Sequence, residues 1–230
     1  KVAEECLDPN VLKTAAEPVI QAIGAFYELY QKQLIEENVL DFATIQTETY
    51  ALLTKHPQVL ETLQEKIQYV MVDEYQDTNT IQEKILLLLA KKHNNICVVG
   101  DDDQGLYRFR GATIRNILEF PLNFPSKCHQ VKLTTNYRSH PGIIDFYNEW
   151  MEELDWSGNK TTFRYDKTIV AQDKAFKKYP SVIKVSSDKS LEEYCKEVLS
   201  FIRKLQNKEI LTDLNQIAFL FKSVKNDKVI

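Results

Sequence analysis

The sequence predicts an α/β fold in which a parallel sheet is covered on both faces by helices. Three observations carry this expectation. From Ile67 onward, short apolar runs alternate with amphipathic stretches, the texture of parallel strands joined by crossover helices. Several of the amphipathic stretches open on recognisable capping residues. Six glycines and seven prolines in 230 residues fall well under the roughly 12% average share of those two types, which excludes collagen-like and low-complexity disordered classes.

Taken in order, the first 40 residues read as helix, because Leu12, Ala16, Val19, Ile23, Phe26, Tyr27, Tyr30 and Leu34 recur at the three-and-four spacing of one face. Pro18 divides this stretch into two segments. The apolar runs expected as buried strands are Tyr69 to Val72, Ile96 to Val99, Val131 to Leu133, Val182 to Val185 and Ile217 to Phe221. Thr80 with Glu83 reads as a capping box that opens a helix through Lys92. Pro141 sits where a first helical residue belongs, ahead of Ile143, Tyr147, Trp150 and Leu154. Ser190 with Glu193 caps a third helix carrying Leu191, Tyr194, Val198, Ile202 and Leu205. Pro121 and Pro125 interrupt the pattern around Asn123 to Lys127, which reads as a domain boundary or as a loop inside one sheet, and Asp155 to Pro180 reads as a long, weakly patterned segment of the kind that is functional or mobile.

The length is on the order of 1.5 domains. No apolar run approaches the roughly 20 residues that span a bilayer, and the first residues lack the apolar core of a signal peptide. The chain is therefore expected to be soluble and intracellular, a cytoplasmic protein without a membrane partner. Cys6, Cys97, Cys128 and Cys195 are scattered singly, which suggests neither a zinc knuckle nor a disulfide framework and reads best as buried reduced thiols. The net charge of -4 does not advertise a nucleic-acid binder. A local basic stripe suffices for phosphate contacts, however. Lys160 to Lys184 is one candidate, with seven basic residues against Asp166 and Asp173, and a solvated loop explains it equally well. The chain begins on lysine and both ends cut a pattern midway, so it is expected to be a piece of something larger.

Ligands in parallel α/β sheets bind beyond the carboxyl ends of the strands. Two of those ends are acidic: Asp73-Glu74-Tyr75-Gln76-Asp77 and Gly100-Asp101-Asp102-Asp103-Gln104. A carboxylate at a strand mouth suits a magnesium ion that keeps several waters. Its neighbour can orient or deprotonate an attacking water, which is the division of labour expected of Asp73 and Glu74 in phosphoryl transfer. An isolated Asp-Glu pair can instead simply begin a turn. The G-x-x-x-x-G-K-[ST] phosphate cradle is missing from this sequence, since Leu106 follows Gly100 to Gly105 where lysine is required. Tyr107-Arg108-Phe109-Arg110 alternates rings with guanidinium groups, the combination that grips single strands, although core packing of Phe109 is the competing reading. Asn136-Tyr137-Arg138-Ser139 places a ring and a fixed cation after the third run, suited to a purine and a phosphate.

These segments in this order resemble the UvrD/Rep family of superfamily 1 DNA helicases. Residues 73–79 resemble that family's motif II, residues 99–112 its motif III, and residues 136–139 its motif IV. Leu40-Asp41-Phe42 is similar to the short patch before motif II, with Ala43-Thr44 in place of acidic residues. Ile217 to Ser223 is similar to the strand of the fourth-motif region, with Lys222 where arginine is common. Phe109 stands where tryptophan is frequent, and Gly105-Leu106 replace serine and isoleucine.

The resemblance implies RecA-like parallel sheets of the P-loop NTPase type, arranged as two lobes with ATP between them and single-stranded or partly duplex DNA across their tops. Residues 1–40 would be a helical segment from the tail of an inserted subdomain, 41–125 the later part of the first lobe, and 126–230 the beginning of the second. Asp73 would hold Mg2+ through water, with Glu74 beside it activating the hydrolytic water. Gln104 would sense the γ-phosphate, Arg138 would contact it from the second lobe, and Tyr137 would stack on adenine. Tyr107, Phe109 and Arg110 would meet the DNA. The intact protein would be an ATP-dependent helicase or translocase, and this piece, without motif I, inactive alone. Two other classes compete: a relative without the cradle that only binds single-stranded nucleic acid or a protein, and a magnesium-dependent nuclease. Retention of Glu74, Gln104 and Arg138 argues against the first, and the lack of further acidic or lysine residues at the expected spacing against the second.

Overall fold

The computed structural model describes residues 2–3, 5, 7–125, 127–157, 163–172, 181–183 and 190–220. The chain forms two compact units, residues 1–174 and 175–230. In the first, helices α1 (Pro9–Lys13), α2 (Pro18–Glu36), α3 (Phe42–Lys55) and α4 (Pro57–Lys66) precede strand β1 (Val70–Val72). Helix α5 (Thr80–Ala90) then leads to β2 (Ile96–Val98), followed by α6 (Arg115–Glu119), β3 (Thr135–Asn136), α7 (Pro141–Glu152) and β4 (Val170–Ala171). Short 3-10 turns fill the joints at Tyr75–Asp77, Asp102–Gln104, Tyr107–Arg110 and Phe120–Asn123. The second unit holds α8 (Leu191–Asn207) and a 3-10 turn at Leu214–Gln216.

Both strand pairs are parallel, as expected: Val70, Met71 and Val72 stand opposite Ile96, Cys97 and Val98, and Thr135 and Asn136 stand opposite Val170 and Ala171. The inward residues of the first pair build the core. Tyr75, Ile117 and Phe120 form its buried centre, and Val72, Leu86, Leu87, Ile96 and Val98 pack against it. Tyr75 and Phe120 meet edge to face, with ring centroids 5.3 Å apart, the arrangement that ring quadrupoles favour.

Among the described residues only one face of this sheet is covered, contrary to the expectation of helices on both. Met71 is 81% exposed and Cys97 is also exposed, because side chains alternate along a strand and every described packing partner lies on the other face. The described cysteines are free but not buried, with Cys128 and Cys195 half-buried; Cys6 lies outside the described residues. Of the expected strands, Val131 to Leu133 is extended coil with Val131 and Leu133 exposed, and its neighbours Thr135–Asn136 pair instead. Residues 182–183 and 217–220 are likewise coil, and the rest of those two runs lies outside the described residues.

Pro18 opens α2 as its first residue. The apolar stripe behind it is not buried, however: Val19, Ile23, Phe26 and Tyr30 are exposed. Helix α2 packs instead through Gly24, where an added Cβ would lie 2.9 Å from both Leu12 Cβ and Lys13 N. A five-residue partner cannot cover a 19-residue stripe. Pro141 and Ser190 open α7 and α8 as read, and the Ser190–Glu193 box is reciprocal. The box of α5 is Asn79 with Gln82 rather than Thr80 with Glu83. Thr80 Oγ1 donates to Glu5 instead, and Glu83 accepts from the Tyr75 hydroxyl.

Candidate functional site

Strand β1 delivers Asp73 and Glu74, both exposed, at its carboxyl end. Asp73 Oδ1 accepts the Glu74 N–H at 2.9 Å, and Glu74 takes a left-handed conformation (φ 51°, ψ 43°) that turns the chain into Tyr75–Asp77. For a residue with a Cβ this costs on the order of 1–3 kcal/mol, a strain seen where surrounding structure enforces it. Here the enforcement is visible. The Tyr75 N–H donates to Val99 O at 3.0 Å, the Val99 N–H donates to Val72 O at 2.8 Å, and Tyr75 itself is fully buried. Asp77 in the same turn has an Oδ1 without a partner. Burial pushes its carboxyl up, and the charge of Glu74 adds to that.

The second strand end is joined to the first by Gln76, which is 1% exposed. Its Nε2 donates to Glu74 Oε2 at 2.7 Å, and its Oε1 accepts the Asp101 N–H at 3.0 Å. Asp101 Oδ2 in turn accepts from Gln104 Nε2 at 2.9 Å. Glu74 and Gln104 are thus the ends of one hydrogen-bonded series, and the side chain that makes the join is one that motif reading alone passes over.

Asp101, Asp102 and Asp103 do not form an open acidic mouth. Lys167 Nζ binds Asp101 at 2.6 Å and Asp103 at 3.1 Å, and it also pairs with Asp102. Arg164 forks onto Asp103, the Tyr147 hydroxyl donates to the same carboxylate, and the Tyr165 N–H donates to Asp102 Oδ2 at 2.7 Å. Burial pushes Asp101 and Asp103 up, but these donors more than reverse it and hold both below the ordinary carboxylate range. Burial likewise pushes the Tyr147 hydroxyl up to about 12, with its bond to Asp103 adding to the rise. Arg164 and Lys167 are therefore consumed by aspartates and are not part of a phosphate stripe; Lys160, Lys174, Lys177, Lys178 and Lys184 of that stretch lie outside the described residues. A second acidic metal mouth is excluded on the same ground. Among the described residues, no group of three or more His, Cys, Asp or Glu is placed to hold a metal.

Tyr107 and Arg108 are exposed in the 3-10 turn that Gly111 ends at φ 91°, a left-handed position suited to glycine. The side chains of Phe109 and Arg110 in that turn lie outside the description. Tyr137 and Arg138 are exposed just past β3, where Asn136 Oδ1 accepts the N–H groups of Arg138 and Ser139 at 2.9 and 2.8 Å. No hydrogen bond or ion pair among the described residues joins Arg138 to Asp73 or Glu74. A buried amide braces the motif from behind: Asn116 Nδ2 donates to Thr78 O and Asn79 O at 3.3 and 3.1 Å.

Asp73 and Glu74 suit a hard cation that keeps its waters, because both are exposed oxygen donors at a strand end and Asp73 spends only one oxygen on the backbone. No described helix is long and apolar enough to cross a membrane.

The chain is 44% identical over 147 residues to the ATP-dependent DNA helicase PcrA of Staphylococcus aureus strain Mu50, an alignment covering 61% of this chain and 20% of the relative. It is 44% identical over 129 residues to PcrA of Staphylococcus epidermidis strain ATCC 12228, covering 56% of this chain and 18% of the relative. The chain thus spans about a fifth of the length of the curated relatives it matches. The UvrD/REP helicase N-terminal domain family matches residues 1–125, more than half of the chain. On that match, the chain belongs to the UvrD/REP helicase family.

Proposed function

We propose that this chain is part of an ATP-dependent DNA helicase or translocase that couples ATP hydrolysis to movement on single-stranded DNA and to duplex unwinding. The observation that carries the reading is the exposed Asp73-Glu74 pair at the end of β1, tied through Gln76 and Asp101 to Gln104. In this reading residues 41–125 are the later part of a RecA-like first lobe, 126–230 begin a second, and 1–40 belong to an inserted helical subdomain.

Asp73 and Glu74 would hold magnesium, which when bound would supply charge neutralisation for the transferred phosphoryl group. Glu74 orients the attacking water and takes its proton. Gln104 reads the γ-phosphate, Arg138 offers it a fixed cation, and Tyr137 stacks on adenine. Tyr107, Phe109 and Arg110 contact the single strand, by stacking and by phosphate pairing.

Glu74→Gln in the full-length protein tests this assignment. It is expected to keep nucleotide binding and to lose turnover, whereas Asp73→Asn also shifts the magnesium dependence. Normal hydrolysis by both variants would reduce the acidic pair to a turn.

A further inference from the structure

We propose that Gln76 is a positioning residue that aims the Glu74 carboxylate and links it to the 101–104 turn. The inference rests on the reading of Glu74 as the water-activating base. Gln76 is almost wholly buried, and its amide is used from both ends: Nε2 toward Glu74 Oε2, Oε1 toward the Asp101 N–H. A buried amide with both ends satisfied has one orientation, because turning it over would set Nε2 against a backbone donor and Oε1 against a carboxylate. Glu74 is otherwise an exposed side chain on a left-handed residue. Without this bond it would sample rotamers, and a base displaced by about 1 Å can lose on the order of 10²-fold in rate.

Gly100 supports the assignment from behind. A Cβ there would lie 2.5 Å from Gln76 Oε1, 2.8 Å from Ile117 Cδ1 and 3.1 Å from Tyr75 N, so glycine clears the space the amide occupies. The link continues to Gln104, because the residue whose N–H Gln76 accepts also accepts the Gln104 side chain. A displacement of Gln104 therefore has a three-bond route to Glu74, through groups that are each held at hydrogen-bonding distance.

Two substitutions in the full-length protein separate positioning from packing. Gln76→Leu removes both bonds. Gln76→Glu keeps the acceptor for Asp101 and removes the Nε2 donor to Glu74. With ATP, magnesium and single-stranded DNA, kcat of each is expected to fall about tenfold or more at pH 8, part of the 10²–10⁴ that a positioned base supplies. Affinity for a non-hydrolysable ATP analogue stays near wild type. For Gln76→Glu, which fills nearly the same space, a fall in kcat with analogue affinity retained is a split that a packing role does not produce. Unchanged kcat in both variants, or a loss of kcat matched by an equal loss of analogue affinity, would overturn the proposal. Should Gln76→Leu fail to fold, the same split in Gln76→Glu decides alone. Amide hydrogen exchange gives a readout apart from turnover: the Asp101 amide should exchange faster in Gln76→Leu while the Val99 amide, held by Val72 O, does not change. If the wild-type protein shows no ATPase, the functional reading fails, and the Glu74–Gln76–Asp101 link stands or falls on the exchange result.

Discussion

Arg164 grips Asp103 with two parallel bonds, Nε to Oδ1 at 2.8 Å and Nη2 to Oδ2 at 3.1 Å, and the two side chains are only 11% and 4% exposed. The pair lies 61 positions apart in sequence and, with Lys167, fastens residues 163–172 onto the turn that follows β2. Three carboxylates face two cations there: Lys167 is shared among all three and Arg164 is given wholly to Asp103, so neither is spare.

The first prediction concerns that fastener. Removing one member of a buried pair leaves an uncompensated charge, which costs about 3–5 kcal/mol. Arg164→Met should therefore lower unfolding stability by that amount in urea titrations, and adding Asp103→Leu should recover most of the loss. A single-variant loss under about 1 kcal/mol is the range of exposed pairs and would mean that solvent already screens the cluster.

The second prediction is a pH dependence whose sign follows from the shifts. Asp101 and Asp103 are lowered in the folded chain: burial raises them, and Lys167 and Arg164 more than reverse it. Their contribution is complete above the unfolded value of about 3.9 and is lost as pH falls through the lower folded values. Lys167 is raised despite burial, by Asp101 and Asp102, so its share is complete below about 10.4 and is lost as pH climbs through the folded value. Asp77 and Glu83 act in the opposite sense, because burial raises both and protonation on acidification favours the fold. The stability difference between wild type and Asp103→Asn should be constant from roughly pH 5 to 9 and shrink below about pH 4. A difference that persists at pH 2 would assign it to shape rather than charge.

Local signals located the helix starts at Pro141 and Ser190, because a cap involves residues within four positions. The α5 start was read one residue late for a physical reason. Asn79 with Gln82 and Thr80 with Glu83 both satisfy the capping pattern, and the distant partners Glu5 and Tyr75 decide between them. Val131 to Leu133 has the composition of a strand, but a strand exists only where a neighbour pairs, and the pairing falls on Thr135 and Asn136. At the site, Asp73 and Glu74 were legible from a carboxylate pair after an apolar run. Lys167 was visible only as one lysine in a basic stretch, since its aspartates lie 64 to 66 positions away. Gln76 carries no signal of its own type; only the buried turn between two acidic strand ends makes an amide necessary there.

A third prediction tests the DNA platform. In the full-length protein Phe109→Ala should weaken single-stranded DNA binding by about 1–3 kcal/mol, one stacked base, while Phe109→Trp is tolerated. Unchanged DNA affinity with a lowered melting temperature would make Phe109 a packing residue.

The last prediction separates Gln104 from Arg138. Gln104 ends the series that begins at Glu74 and stands three residues before Tyr107, so it lies between the acidic strand end and the turn proposed to meet DNA. Arg138 is exposed after β3, with its backbone N–H held by Asn136, and in the proposed role it would favour triphosphate over diphosphate. A ligand shifts a conformational equilibrium only by its differential affinity for the two states, and the contact of Arg138 with the γ-phosphate would supply that difference. Arg138→Ala should therefore lower ATP turnover with and without DNA alike, by about 10³-fold if the guanidinium stabilises the transferring group as arginine fingers do. Gln104→Ala removes the hydrogen bond to the ionised Asp101 carboxylate and should reduce the DNA-stimulated rate more than the basal one. ATPase assays on both variants, with and without single-stranded DNA, decide between the roles. Equal loss of basal and stimulated rates in Gln104→Ala would confine that glutamine to hydrolysis and place the coupling to DNA elsewhere.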